Sequence, residues 1–227
     1  MAQKLLFYLT NNKIKYSVLI LAGVIMMKTG AVITAAGLSS RMHDFKPLMQ
    51  IGRITMIERV ILNFQSAGIK EIVVVTGRKS CDIEKQICHM GIISIKNPDY
   101  AVTQMFDSAL LGMKFLMEKC SRFFLCPVDI PLFKIKTVRT LMDEDEEVVI
   151  PSYRGMSGHP ILISSKAAEK LSYYSGKGGI RGAINTGYIK IIAKEVEDCG
   201  ILFDANTQED YRVLLEKYNC QLPYPPI

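Results

Sequence analysis

Three stretches of this sequence hold side chains suited to phosphate chemistry. The first is Thr34-Ala35-Ala36-Gly37-Leu38-Ser39-Ser40-Arg41-Met42, with Lys46 following. Small residues and Gly37 let backbone N–H groups approach a triphosphate, because glycine accepts unusual backbone angles and leaves no side chain in the way. Arg41 and Lys46 then supply the positive charge that a polyphosphate needs. A surface turn with chance basic residues is the competing reading. The stretch matches neither G-x-x-x-x-G-K-[ST] nor G-x-G-x-x-G, so it is neither a Walker loop nor the dinucleotide fingerprint. The second stretch is Pro127-Val128-Asp129-Ile130-Pro131-Leu132, where one carboxylate sits among apolar residues and either meets a ligand or caps a turn. The third is Asp204-Ala205-Asn206-Thr207-Gln208-Glu209-Asp210-Tyr211. Thr207 and Asp210 make a helix-start capping box there, so part of this stretch is structural.

Such residues need strands to carry them. In open parallel sheets, ligands bind outside the carboxyl ends of the strands. Ala31–Ala35 reads as a short apolar strand, Glu71–Thr76 as a second and Ile92–Ile95 as a third, and Arg122–Cys126 as a fourth ending at Pro127. Helical spacing of apolar residues covers Thr55–Ala67, closed by Gly68, then Asp82–Met90 and Thr103–Lys119. This alternation predicts an α/β fold, Rossmann-like, with a mostly parallel sheet and helices on both faces. The second half is less regular. Strands are expected at Val148–Pro151, Pro160–Ile163 and Ile189–Glu195, with helices at Lys166–Tyr174 and Thr207–Tyr218. The acidic run Asp143–Glu147 reads as a solvated turn, since consecutive carboxylates cannot all face one ion.

Composition limits the classes of function. The chain has 227 residues, 49% of them hydrophobic, which suits one full-sized core. It carries a net charge of +6, yet residues 1–53 hold seven basic residues against Asp44 alone. The remaining 21 basic residues are matched by 21 acidic ones, so the excess lies at the front. With no basic face interleaved with aromatics and no reading module, nucleic-acid binding is not expected. Six cysteines without a C-x-x-C pair suggest reduced thiols of a cytoplasmic protein rather than a zinc site or a disulfide framework. Residues 1–27 combine three lysines with the apolar run Val18–Met27, which is shorter than the ~20 residues a membrane span needs. They are read as an N-terminal appendage, and residues 28–227 as a single domain.

At Ala35–Lys46 the sequence resembles the nucleotidyltransferases of molybdenum cofactor biosynthesis, whose signature is A-G-x-S-x-R-M-G-x-x-K after the first strand. The resemblance runs from Ala31 to Leu214. His43 stands where the family has Gly. Ala35-Ala36-Gly37 looks more like the cytidylyltransferase branch than the guanylyltransferase branch. Pro127–Leu132 resembles the family's G-D-M-P-L segment, which implies that Asp129 binds Mg²⁺; a hard cation favours carboxylate oxygen, with phosphate oxygens and waters completing its shell. Gly200–Tyr211 resembles D-x-D/N-T-P-E-D-Y, which makes Asn206 a second metal-proximal oxygen ligand and Asp204 its neighbour or alternative. Capping remains the other reading for both.

The resemblance also assigns the flanking positions. Gly158-His159-Pro160 resembles the G-H-P of the cytidylyl branch, which implies that Gly158 and His159 shape an acceptor pocket. Gly176–Arg181 resembles G-D-x-G-A-R, with Lys177 in place of Asp, and adds Arg181 to that pocket. Thr76, Asn97 and Ser108 match positions that line the base and ribose, joining Thr34, Ala35, Ala36, Gly37 and Ser39 as nucleotide-binding residues. What is implied is a nucleotide-diphospho-sugar transferase-like fold and a Mg²⁺-dependent transfer of a nucleoside monophosphate from an NTP, CTP first, to an acceptor phosphate. Molybdopterin-bound molybdenum is the leading acceptor, and a molybdoenzyme or cofactor-insertion protein the candidate partner. A guanylyl- or sugar-phosphate nucleotidyltransferase, or a nucleotide-binding module without turnover, are the alternatives.

Overall fold

The computed structural model describes residues 28–37, 42, 44–174, 178–184, 187 and 189–221. Residues 1–27, expected to form an appendage, and Ser39, Arg41, His43 and Lys177 lie outside the described residues. The apolar run after Lys28 forms β1 (Thr29–Ala35), buried along nearly its whole length. A 3-10 turn at Lys46–Leu48 leads into a hairpin, β2 (Gln50–Ile51) and β3 (Ile54–Thr55). Thr55 then starts α1 (Met56–Ser66) with a capping box, exchanging hydrogen bonds with Glu58. β4 (Glu71–Thr76), α2 (Ser80–Ile87) and β5 (Ile93–Lys96) follow. Next come α3 (Met105–Met117), β6 (Arg122–Pro127) and α4 (Ile135–Met142). The second half holds β7 (Val148–Tyr153), β8 (Met156–Ser157), β9 (Ile161–Ser164) and α5 (Ser165–Ser172). It ends with α6 (Gly179–Ile184), β10 (Ile191–Glu195) and α7 (Gln208–Gln221).

The main sheet has the order β10-β7-β9-β6-β1-β4-β5, with β8 paired to β7. β1 lies parallel to both β4 and β6, and β5 is parallel to β4. Alternate residues of β1 feed two cores. Ala31, Ile33 and Ala35 join the layer with Ile57, Val60, Ile61 and Phe64 of α1, whereas Val32 joins Ala109, Met113 and Leu116 of α3. Helices therefore cover both faces, as expected, which is why these strands read as unbroken apolar runs.

The irregular half differs in one way that matters for the site. β9 runs antiparallel to both β6 and β7, pairing Ile161 with Leu125. The start of β9 therefore lies at the same sheet edge as the end of β6, and Gly158-His159-Pro160 arrives beside Pro127. The ends of several elements also shift. α3 begins at Met105 rather than Thr103, because Gln104 and Asp107 form its capping box. Thr207 and Asp210 exchange the bonds of the expected capping box ahead of α7. The acidic run is more than a solvated turn. Glu144 pairs with Lys194, and Glu147 accepts from Lys170 at 2.8 Å and from the Lys190 backbone N–H at 3.0 Å.

Candidate active site

The chemistry collects where β1 and β6 end. Val128 N–H donates to the Thr34 carbonyl at 3.1 Å, which ties the Asp129 turn to the start of the glycine stretch. Ala205 N–H donates to the Asp129 carbonyl at 3.1 Å, so the segment before α7 is pinned to the same turn. Lys46, at the head of the 3-10 turn, projects into this corner. Its Nζ donates to Asp129 Oδ2 and to Asn206 Oδ1, both at 2.9 Å. Asn206 Nδ2 in turn donates to Asp204. A cavity of about 300 Å³ opens above, lined by Thr34, Ala35, Ala36, Gly37, Lys46, Asp129 and Asn206 on one side. Tyr100, Thr103, Gln104, Met105 and Ser108 line the other.

A second cavity of about 660 Å³ adjoins it, sharing Thr34, Met105 and Pro127. Gly158, His159, Arg181 and Asp204 supply its polar lining, while Ile130, Ile150, Ile161 and Ile201 supply apolar walls. Gly158 is required by close packing: a Cβ there would lie 2.3 Å from the Ile201 carbonyl oxygen. His159 is held through its backbone N–H to that same carbonyl at 3.0 Å. Burial lowers the imidazole pKa, opposed by the Leu125 carbonyl near Nδ1, so the ring is neutral at pH 7.

Partial burial raises the pKa of Asp204, and the charges of Asp129 and Asp210 push it the same way. Among the described residues no group of three or more His, Cys, Asp or Glu could hold a metal by itself. The donor set nevertheless fits a hard divalent cation that shares phosphate oxygens. Asp129 and Asn206 already aim two oxygens at one positive nitrogen, and the excess of carboxylates over ammonium groups favours more positive charge.

The structure thus brings together Thr34–Gly37, Lys46, Ser108, Asp129 and Asn206 at one cavity and Gly158, His159, Arg181 and Asp204 at its neighbour. Thr76 and Asn97 line neither. Thr76 is fully buried at the end of β4, and Asn97 is 3% exposed. Asn97 Nδ2 donates to Thr103 Oγ1 at 2.9 Å and Ser108 Oγ at 3.0 Å, while its Oδ1 accepts from Asp99 N–H at 3.0 Å. Its role is to hold the 97–104 loop whose Tyr100, Thr103 and Gln104 form the cavity wall. Those three were not anticipated; the Q-x-x-D box at Gln104 was the signal that a loop ends and a helix starts there. Tyr100 closes on Gly77, where a Cβ would lie 2.7 Å from the Tyr100 Cβ and 2.9 Å from the Ala36 carbonyl oxygen.

The family model described as the MobA-like NTP transferase domain matches residues 31–191. The molybdenum cofactor cytidylyltransferase of Escherichia coli K12 is 27% identical over 195 residues, covering 85% of this chain and 98% of the relative. Among solved structures, a nucleotidyl transferase from Methanothermobacter superposes with a TM-score of 0.75 at 22% identity, covering 84% and 97% of the two chains. Rv0371c of Mycobacterium tuberculosis in complex with manganese gives 0.70 at 19% identity, covering 84% and 99%. At these identities the two structural likenesses speak to the fold alone.

Proposed function

Because this chain belongs to the MobA-like NTP transferase family and is a nucleotidyltransferase, we propose that it transfers CMP from CTP to a phosphate carried by molybdopterin-bound molybdenum, releasing pyrophosphate. The observation that carries this reading is the junction of two cavities at Thr34, Met105 and Pro127, with Lys46, Asp129 and Asn206 beside the junction. The smaller cavity takes the nucleotide. Its Ala35-Ala36-Gly37 floor leaves room for phosphates to approach backbone, and Lys46 offsets charge that grows on the leaving pyrophosphate. Arg41 adds a second cation by its place in the sequence. The larger cavity takes the acceptor, with Arg181 offering it positive charge.

An oxygen of the acceptor phosphate attacks the α-phosphorus, and the bond from that phosphorus to the bridging oxygen of the β-phosphate breaks. The nucleophile is already anionic at neutral pH, so no protein base is needed, in keeping with a neutral His159. Mg²⁺, when bound, stabilises negative charge on phosphate oxygens as a Lewis acid; Asp129 and Asn206, with Asp204 adjacent, are the residues that would hold it. Residues 28–227 act as one domain in this reading, in the cytoplasm, and a molybdoenzyme or insertion protein receives the product.

Pyrophosphate release measured with CTP, GTP or ATP, with Mg²⁺ or Mn²⁺ and with or without molybdopterin-bound molybdenum, tests the proposal. CTP with acceptor should give the highest rate. A GTP preference reassigns the base, release that requires a sugar phosphate reassigns the acceptor, and binding without release under every condition makes the chain a nucleotide-binding module.

A further inference from the structure

The two ring nitrogens of His159 stand in unlike surroundings. Nδ1 lies 3.5 Å from the Leu125 carbonyl oxygen. A carbonyl only accepts, so in the neutral ring the proton sits on Nδ1 and Nε2 keeps its lone pair. Burial holds the ring neutral and the charge of Arg181 works the same way, together outweighing the Leu125 carbonyl and the charge of Asp129. Nε2 has no hydrogen-bond partner among the described residues, yet it is not one of their buried orphaned polar atoms, which belong to Arg59 and Arg122. It therefore opens onto the larger cavity, which His159 lines. The residue is fixed from behind. Its backbone N–H donates to the Ile201 carbonyl at 3.0 Å, and Gly158 packs so tightly on that carbonyl that no Cβ fits. The bare nitrogen is thus a hydrogen-bond acceptor set in place before any ligand arrives.

The rest of the lining says what such an acceptor would meet. Arg181 brings a guanidinium, and Ile130, Ile150, Ile161 and Ile184 form apolar walls. A ligand that fills this space carries an anionic group for Arg181 and a flat apolar face for the isoleucines, with a proton to give at one edge. A polyhydroxyl ring would strand hydroxyls against the isoleucines. A carbonyl or bare ring nitrogen against Nε2 would set two lone pairs face to face and leave both groups desolvated. We propose that His159 is a specificity-determining residue whose Nε2 accepts a hydrogen bond from a ring N–H of the phosphate-bearing acceptor, selecting a heterocycle with a donor edge. This rests on the reading of the larger cavity as the acceptor site.

Nitrogen-15 NMR of the unmodified chain labelled at histidine reads the tautomer directly, and His159→Gln identifies its signals among those of the three histidines. At neutral pH Nδ1 should be protonated and Nε2 bare, and the Nε2 resonance should move when molybdopterin-bound molybdenum is added. A proton on Nε2, or on both nitrogens, overturns the proposal whatever the activity. Pyrophosphate release against acceptor concentration is the second arm. His159→Phe should raise the acceptor KM by about three- to tenfold, the worth of one net hydrogen bond, and should lower kcat by less. His159→Gln, whose amide oxygen reaches the Nε2 position, should recover most of that loss. CTP affinity should be equal in all three proteins, since His159 lines the acceptor cavity and not the nucleotide cavity; a merely structural role would weaken CTP binding as well and would not be rescued by glutamine. An unchanged KM in His159→Phe overturns the hydrogen bond while the acceptor site stands. No release by the unmodified chain at any concentration of this acceptor overturns the acceptor reading and, with it, the role given to His159.

Discussion

Replacing Lys46 with alanine acts on the contact that joins the three ends of the site. Its side chain and that of Asp129 are 12% and 17% exposed. Removing one partner of a fully buried ion pair costs about 3–5 kcal/mol, and an exposed pair contributes about 0–1. A pair beside a cavity open to solvent falls between, at about 2 kcal/mol. For a chain of this length that is a fall of about 4–8 °C in melting temperature. Divalent metal should reverse the order of the two proteins' responses. In the unmodified chain the ammonium lies between the two oxygens that a metal would use; in Lys46→Ala those oxygens are free and one carboxylate is uncompensated. Mg²⁺ or Mn²⁺ alone should therefore raise the melting temperature of Lys46→Ala more than that of the unmodified chain. The stabilisation is RT ln(1 + [L]/Kd), about 2.7 kcal/mol at a hundredfold excess over Kd. CTP with metal should do the opposite and stabilise Lys46→Ala less, because a triphosphate contact is gone. Turnover should drop by about 10²–10³, the range seen when one donor to developing charge is deleted. Thermal shift across metal and CTP titrations reads the stability and binding effects, and pyrophosphate release reads the turnover. A metal response equal in the two proteins would refute the view that Lys46 and the cation share Asp129 and Asn206.

Three further outcomes follow from the same geometry. Gly77→Ala forces a Cβ to 2.7 Å from Tyr100 and 2.9 Å from the Ala36 carbonyl, so it should destabilise by about 1–3 kcal/mol and weaken CTP binding in a titration; unchanged affinity would remove Tyr100 from the nucleotide wall. His159 is buried with a lowered pKa, so as pH falls through about 6.5 the unfolded chain takes up a proton that the folded chain refuses. The stability from the neutral ring is fully present above that pH and is lost toward the lower folded value, and His159→Gln should flatten melting temperature against pH on the acid side; equal slopes would contradict the assignment. A chain beginning at Met27 should melt at the temperature of the longer one, because β1 starts at Thr29 and its flank is closed by Ser121 N–H donating to the Lys28 carbonyl at 3.1 Å; a large drop would place residues 1–26 in the fold.

Local pattern determined a good deal of this protein. Apolar runs at Ala31–Ala35, Glu71–Thr76 and Arg122–Cys126 specify buried parallel strands because each must be covered on both faces, whatever surrounds it. Thr55 with Glu58 and Thr207 with Asp210 specify helix starts because capping is a contact between residues three apart. Gly37 and Lys46 suit a phosphate-binding loop by type and spacing, since phosphate chemistry accepts few residue types, whereas Asp129 and Asn206 are singled out by the family resemblance rather than by any local pattern. What tertiary structure alone decided is who meets whom. Lys46 bonds residues 83 and 160 positions away, and no local period encodes such a distance. The antiparallel course of β9, which brings His159 beside Pro127, follows from a sheet register set by neighbouring strands. The family resemblance assigns Asn97 and Thr76 to the nucleotide site, yet burial makes Asn97 a brace for the 97–104 loop and leaves Thr76 inside the sheet. Gln208 reads as an ordinary first-turn helix residue, and only packing of α7 against the loop after β1 gives its amide two acceptors.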